Sequence, residues 1–229
     1  MHVIVTPASA WIFFASGKHP VVKDYIRIGS ETPLMDGFSR WVENGDVRVN
    51  SNELHHSWRF FARGLGKEEL SCGLVRDSRD RAGRPFPLLI MGCGRLPGWE
   101  GYWEHLPFAF DAIWERMEFL SGKHAYDLEA LKGDIKGIPS PLPPKITQDI
   151  NTHEVASMEI HNPDEMFSIP LQGETDHGDE IARLLAGTRI QSRTLPDTVF
   201  IGGTFQRSFL VAFTRPLKAE DFVKLWTMS

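Results

Sequence analysis

Cysteine is scarce in this 229-residue sequence, with only Cys72 and Cys93 present. Two thiols can form at most one bridge, so no disulfide framework replaces a hydrophobic core. Both fall on candidate neighbouring strands, where a bridge is geometrically conceivable, but two buried free thiols are the expected state and suit a reducing compartment. No apolar run reaches the roughly 18–20 residues that span a bilayer. Met1 to Ala15 contains an apolar patch, with no basic region before it and no clear small-residue cleavage site. No secretory signal is expected there, and the expected location is cytoplasmic. Cationic charge is also thin: the formal net charge is −5, and the basic residues are scattered. The stretch from Arg76 to Arg84 is rich in arginine but is interrupted by Asp77 and Asp80. Nucleic-acid binding therefore has no evident source of counterion release.

Catalytic signatures are missing as well. No G-x-x-x-x-G-K-[ST] string occurs, which excludes phosphoryl transfer on a P-loop. No G-x-S-x-G elbow occurs to expose a serine nucleophile, and Cys72, flanked by strand-type residues, reads as packing. Gly92-Cys-Gly94-Arg-Leu-Pro-Gly98 follows a predicted strand, but its spacing is not that of a dinucleotide loop. Pro97 and Trp99 also disturb the helix start on which a pyrophosphate would rest. His55-His56 and His177-Gly-Asp-Glu180 are poor metal candidates: ligation needs three or four converging donors, and adjacent histidines on a helix diverge. The carboxylate pairs Asp77/Asp80 and Asp176/Asp179 sit in polar turns or caps. No catalytic, cofactor-binding or metal-ligating residue is predicted, and no cofactor is expected.

What is present in quantity is large apolar surface. Seven tryptophans and fifteen phenylalanines accompany only three tyrosines, and hydrophobic residues make up 41% of the chain. That suffices for a well-packed interior. Ile12 to Ala15 reads as a buried strand ending at Ser16-Gly17. Thr32-Pro33 opens a helix whose stripe is Leu34, Phe38, Trp41 and Val42, stopped at Asn44-Gly45. A second short helix is expected over Glu53 to Phe61, with Leu54, Trp58 and Phe61 on one face. Leu70 to Arg76 and Phe86 to Gly92 read as strands joined by the polar loop from Asp77 to Arg84. The run Pro87-Leu-Leu-Ile-Met91 is apolar throughout, as in a strand covered on both faces. Pro107 stands near the start of a long helix with Phe110, Ile113, Trp114, Met117 and Leu120 as its stripe, and Gly122 as its stop. Tyr126, Leu128 and Leu131 suggest another short helix. Towards the C-terminus, Asp176 can cap a helix through Ile181, Leu184 and Leu185 to Gly187. Thr198 to Ile201 and Ser208 to Phe213 form a hairpin around Gly202-Gly203. A final helix spans Leu217 to Trp226, with a Glu220–Lys224 pair.

Strands interleaved with helices imply a layered α/β or α+β fold. Residues 1–134 form an N-terminal region. A proline-rich linker covers 135–146, with four prolines between Gly137 and Ile146 excluding regular helix. Residues 147–229 complete the same domain, although 147–174 carry no assignable pattern.

Two strings place costly residues in or beside polar loops. Trp58-Arg59-Phe60-Phe61 sets an arginine in an aromatic cluster, and Arg81-Ala-Gly-Arg84-Pro-Phe-Pro87 joins two arginines to a stiff lead-in to a strand. An arginine offers a planar fork that pairs carboxylates or phosphates and stacks on rings. Two readings stand: the arginines tie the loop to acidic neighbours such as Asp80, or they contact a partner.

These strings carry a resemblance. Gly17-Lys18-His19-Pro20, Asp24-Tyr25, Phe38-Ser-Arg-Trp41-Val42, Trp58-Arg59-Phe60 and Arg79-Asp80-Arg81-Ala82-Gly83-Arg84-Pro85-Phe86-Pro87-Leu88 resemble the motifs of the TagF/ImpM family of type VI secretion accessory proteins. His19 and Arg79 stand where that family usually has apolar residues. The resemblance implies an α/β domain with a central mixed β-sheet flanked by helices in layers, like a three-layer sandwich. It implies a cytoplasmic, non-catalytic protein that represses type VI secretion after translation by binding a component such as a forkhead-associated scaffold protein. In such systems the circuit can include a threonine kinase and phosphatase. The residues it singles out are Lys18, Asp24, Trp58, Arg59, Asp80, Arg81, Gly83, Arg84 and Phe86. The alternative reading is a small-molecule enzyme with a pocket near Asp24, Trp58 and Arg84.

Overall fold

Residues 11–49, 56–122, 127–144, 165–171, 178–191 and 194–228 are described by the computed structural model. Thr32 begins the first helix as its position implies. Its hydroxyl accepts the Met35 N–H, and Pro33 occupies the first turn of α1 (Pro33–Asp46). Phe38, Trp41 and Val42 are buried along its inner stripe. The extended segments on either side of it in the chain become strands of one sheet. In chain order these are β1 (Ile12–Lys18), β2 (Tyr25–Gly29), β3 (Ser57–Arg63), β4 (Glu69–Arg76), β5 (Leu88–Arg95), β6 (Met166–Leu171), β7 (Thr198–Gly203) and β8 (Ser208–Phe213). Their spatial order is β2-β1-β5-β4-β3-β7-β8-β6. A 3₁₀ segment at Trp99–His105 leads into α2 (Leu106–Gly122), followed by α3 (Leu128–Lys136), α4 (Gly178–Gln191) and α5 (Ala219–Thr227).

Alternation along the strands divides the interior in two. Phe14, Trp58, Phe60, Met91, Phe200 and Phe213 pack with α1 and α5 on one face. Ala15, Phe61, Cys72, Ile90, Val199 and Leu210 pack with α2, α3 and α4 on the other. The result is helices, sheet, helices: the layered α/β architecture that the sequence implies. One detail is corrected. Every pairing among the described strands is antiparallel, where a mixed sheet was expected. The β5 core reads as a continuous apolar run because helices cover both faces, a pattern that does not require parallel neighbours.

A second correction concerns the helix expected over Glu53 to Phe61. Its described part is strand β3, paired with both β4 and β7; Leu54 lies outside the described residues. Trp58, Arg59, Phe60 and Phe61 fit a period of two as well as a helical stripe, and aromatic side chains suit a pleated, buried strand. The neighbouring strands decide between the two. β2 and β6 have no counterpart in the expected elements. They are the two edges of the sheet, short and only partly buried, and Pro170 lies on the β6 edge, where a missing N–H disrupts least. α4 runs past Gly187 to Gln191, while Asp176 and Tyr126 lie outside the described residues. In α5 the expected Glu220–Lys224 pair is replaced: Glu220 pairs with Arg48, and Lys224 lies 3.6 Å from Asp221. The chain from Gly137 to Pro144 has no regular secondary structure.

The register also settles the thiols. Cys72 lies opposite Gly92, and Cys93 opposite Ser71. This one-residue offset sends the two side chains to opposite faces of the sheet, and neither is bridged. Burial pushes the Cys72 thiol well above its ordinary value and the Cys93 thiol up to about 12. Mass spectrometry after denaturation in alkylating reagent, without reductant, is expected to show both cysteines modified; a mass two hydrogens short, with neither modified, would contradict the register.

Candidate functional site

The loop from Asp77 to Pro87 is built around one carboxylate. Asp80 Oδ1 accepts the backbone N–H groups of Ala82 (2.9 Å) and Arg84 (3.0 Å), and Oδ2 accepts Arg84 Nε at 2.6 Å. Lys18 Nζ stands 3.8 Å from Oδ2, and the Asp80 side chain has no exposed surface. Burial alone would raise this carboxyl; the hydrogen bonds from Arg84 and Ala82 outweigh it and hold the group below the usual aspartate range. The Gly83 N–H donates to the Asp80 carbonyl, and the Gly83 carbonyl accepts from Arg79.

The same loop is stitched to the segment after β1. Arg84 Nη2 donates to Asp24 Oδ1 at 3.0 Å and to the Lys23 carbonyl, and Lys18 Nζ donates to the Pro85 carbonyl. The Arg81 N–H meets the Val22 carbonyl at 2.6 Å. The Phe86 ring meets Tyr25 edge to face, 5.5 Å between centroids. His19, unusual for its position in the family, is buried and satisfied: its Nδ1 accepts the Val21 N–H, and its Nε2 bonds the Leu120 carbonyl at 3.0 Å. Two motifs about sixty residues apart thus form one corner. Lys18, Asp24, Asp80, Gly83, Arg84 and Phe86 all come together there, and the reading that ties the arginines to Asp80 holds for Arg84.

Arg81 differs. Its backbone is pinned, but its guanidinium is exposed and has no partner among the described residues. The loop fixes the base of this side chain and leaves its charged head for solvent.

Trp58 and Arg59 leave that corner. Trp58 is fully buried on the α1/α5 face. Asp24 and Arg84 pair with each other at the surface. The three residues do not line a common pocket, which corrects the alternative placed there. Arg59, one residue on, points to the opposite face. It forms a fork with Glu118 (Nε–Oε1 2.7 Å, Nη2–Oε2 2.9 Å), reaches Asp111 at 3.3 Å, and lies over the Trp114 ring at 5.8 Å.

Arg59 stands in a cleft of about 640 Å³ between α2 and the β7–β8 hairpin. Asp111, Glu115 and Glu118 form one wall, Gly202 and Gly203 leave part of the other bare, and Phe108 and Phe205 flank the opening. Asp77, beyond Arg76, is held by the His56 N–H and ring and by Trp226 Nε1 at 2.7 Å. Of the residues singled out by the motifs, Arg59 alone lines this cleft. The available signal was the set of acids at 111, 115 and 118, spaced by four and three on the outer side of a helix already recognised by its apolar stripe.

Comparison with known proteins places this geometry. The family described as TagF N-terminal domain, type VI secretion system-associated, matches residues 15–137, a span that holds the whole Asp80 corner. No curated protein sequence matches significantly. Among solved structures, the crystal structure of PA0076 from Pseudomonas aeruginosa PAO1 is similar in fold, with a TM-score of 0.57 and 18% identity over 95% of this chain and 94% of the other.

Proposed function

We propose, on the premise that this chain belongs to the TagF family of type VI secretion-associated proteins, that it acts as a cytoplasmic, non-catalytic repressor of secretion. In this reading it binds a protein component of the apparatus, a forkhead-associated scaffold being the partner the family resemblance names. The observation that supports a binding role is the contrast within one loop. Asp80, Arg84 and Lys18 are consumed in holding the corner, whereas Arg81 presents from a pinned backbone a guanidinium with no partner among the described residues. A side chain whose base is already ordered loses less entropy on docking, and arginine is a frequent interface anchor.

The test is a pair of substitutions read by a thermal melt, a secretion assay and co-purification of the forkhead-associated protein. Arg81→Ala is expected to leave the melting temperature within about 1–2 °C of wild type, as exposed changes do, while releasing secretion and losing the partner. Arg84→Ala is expected to lower the melting temperature by several degrees, because it removes the fork that neutralises a fully enclosed carboxylate. Retained repression and retained partner in Arg81→Ala would remove the loop from the interface.

A further inference from the structure

We infer that the cleft between α2 and the β7–β8 hairpin is a second binding surface, and that it takes a short peptide segment of another protein carrying a lysine or arginine beside an apolar side chain. Charge and shape on opposite sides of the opening carry the inference. The α2 wall carries three carboxylates, Asp111, Glu115 and Glu118; with Asp77 the lining holds four against the guanidiniums of Arg59 and Arg76, and Arg76 is turned to Ser121 Oγ at 3.0 Å. The Arg59 fork is filled by Glu118, which leaves Asp111 bound only at the longer 3.3 Å and Glu115 near Arg59 but in no hydrogen bond or ion pair among the described residues. The lining therefore carries an excess of negative charge, and both of its arginines are already engaged. An anionic ligand finds repulsion there; a cationic one finds Glu115 and Asp111, both solvent-facing and free to re-pair.

The apolar side of the opening belongs to Phe205, 85% exposed at the tip of the β7–β8 turn, and Phe108, 43% exposed at the start of α2. Large exposed aromatic rings beside a concavity are costly in water and typical of interface anchors. The volume of about 640 Å³ lies within the range of sites that enclose a small ligand or a few side chains. A free organic cation would use the acids and leave the two rings idle; a peptide with an adjacent cation and apolar group uses both. The floor is stable enough to be pre-formed, because Arg59 is clamped from two sides and stacked on Trp114.

This surface does not depend on Arg81, so Arg81→Ala serves as the control. The probes are fluorescein-labelled hexapeptides of lysine alternating with phenylalanine, the same peptide with glutamate for lysine, and spermidine as competitor, measured by fluorescence anisotropy at two salt concentrations. The lysine peptide is expected to bind with an affinity that falls as salt rises, and the glutamate peptide not to bind. Glu115→Gln combined with Asp111→Asn, and separately Phe205→Ser, are each expected to weaken binding about tenfold or more, with melting temperatures unchanged because none of these side chains is buried. Arg81→Ala is expected to bind as wild type. Equal binding of the glutamate peptide, full displacement by spermidine at the peptide's own concentration, wild-type affinity in the charge or Phe205 variants, or no saturation by about 1 mM would each overturn the inference.

Discussion

Replacing Trp58 by alanine is expected to destabilise the protein by about 3–5 kcal/mol, the range for deleting a large buried aromatic from a core. Trp58 has no exposed surface and packs edge-on against Phe200, with Phe38, Phe60 and Trp41 in the same aromatic cluster. Its Nε1 has no hydrogen-bond partner among the described residues, so the loss is one of packing and burial. Trp41→Ala is expected to fall in the same range, with a different composition. Trp41 is slightly exposed, but its Nε1 donates to the Lys218 carbonyl at 2.9 Å, which ties α1 to the start of α5. Truncation there both opens a cavity and strands an acceptor. Urea unfolding followed by tryptophan fluorescence and circular dichroism checks both; a change below about 1 kcal/mol in either would show that the α1/α5 layer is not packed on the sheet as described.

Gly17→Ala is expected to have an effect as large, for a reason of backbone rather than volume. Gly17, next to last in β1, has φ +120, a region an L-residue enters only under strain of about 1–3 kcal/mol. A β-carbon built there would lie 2.1 Å from the Pro87 carbonyl oxygen, a contact that backbone must move to relieve. Gly17 pairs with Leu88, so that movement would open the joint between β1 and β5 where Lys18 approaches Asp80 and Pro85. The melting temperature of Gly17→Ala is expected to fall well beyond that of Arg81→Ala, with repression of secretion weakened as the corner loosens. A melt within 2 °C of wild type would mean that the two motifs are not interlocked through this position.

The contrast between these variants has a use. Gly17, Asp80 and Arg84 are expected to affect function only by way of the fold, whereas Arg81, Glu115 and Phe205 are exposed and can be changed without touching it. Loss of repression with an intact melt therefore points to an interface, and the two surfaces can be separated by which set of residues produces it.

Much of the fold was legible in the chain itself. The α1 start at Thr32-Pro33, the β4–loop–β5 hairpin, the α2 stripe from Phe110 to Leu120 and the β7–β8 hairpin all follow from local rules of capping, periodicity and turn residues, which act between neighbours in sequence. The family motifs were equally legible, because their strings are contiguous. Other features depended on partners far along the chain. Trp58-Arg59-Phe60-Phe61 satisfies both a helical and a strand period, and only pairing with β4 and β7 makes it a strand. The edge strands β2 and β6 are too short and too exposed to announce themselves. Whether Cys72 and Cys93 could meet was a question of register, which a single residue of offset answered. The division of labour among the arginines was likewise hidden. Arg84 meets Asp24 about sixty residues away and Arg59 meets Glu118 across a similar distance, while Arg81 meets no side chain among the described residues. Sequence determined most of the helices and strands and which residues carry charge; tertiary structure decided the ambiguous β3 and the two edge strands, and it alone decided which charges neutralise one another and which remain for a partner, because pairing depends on separations of about 3–4 Å that only the folded sheet and its helices fix.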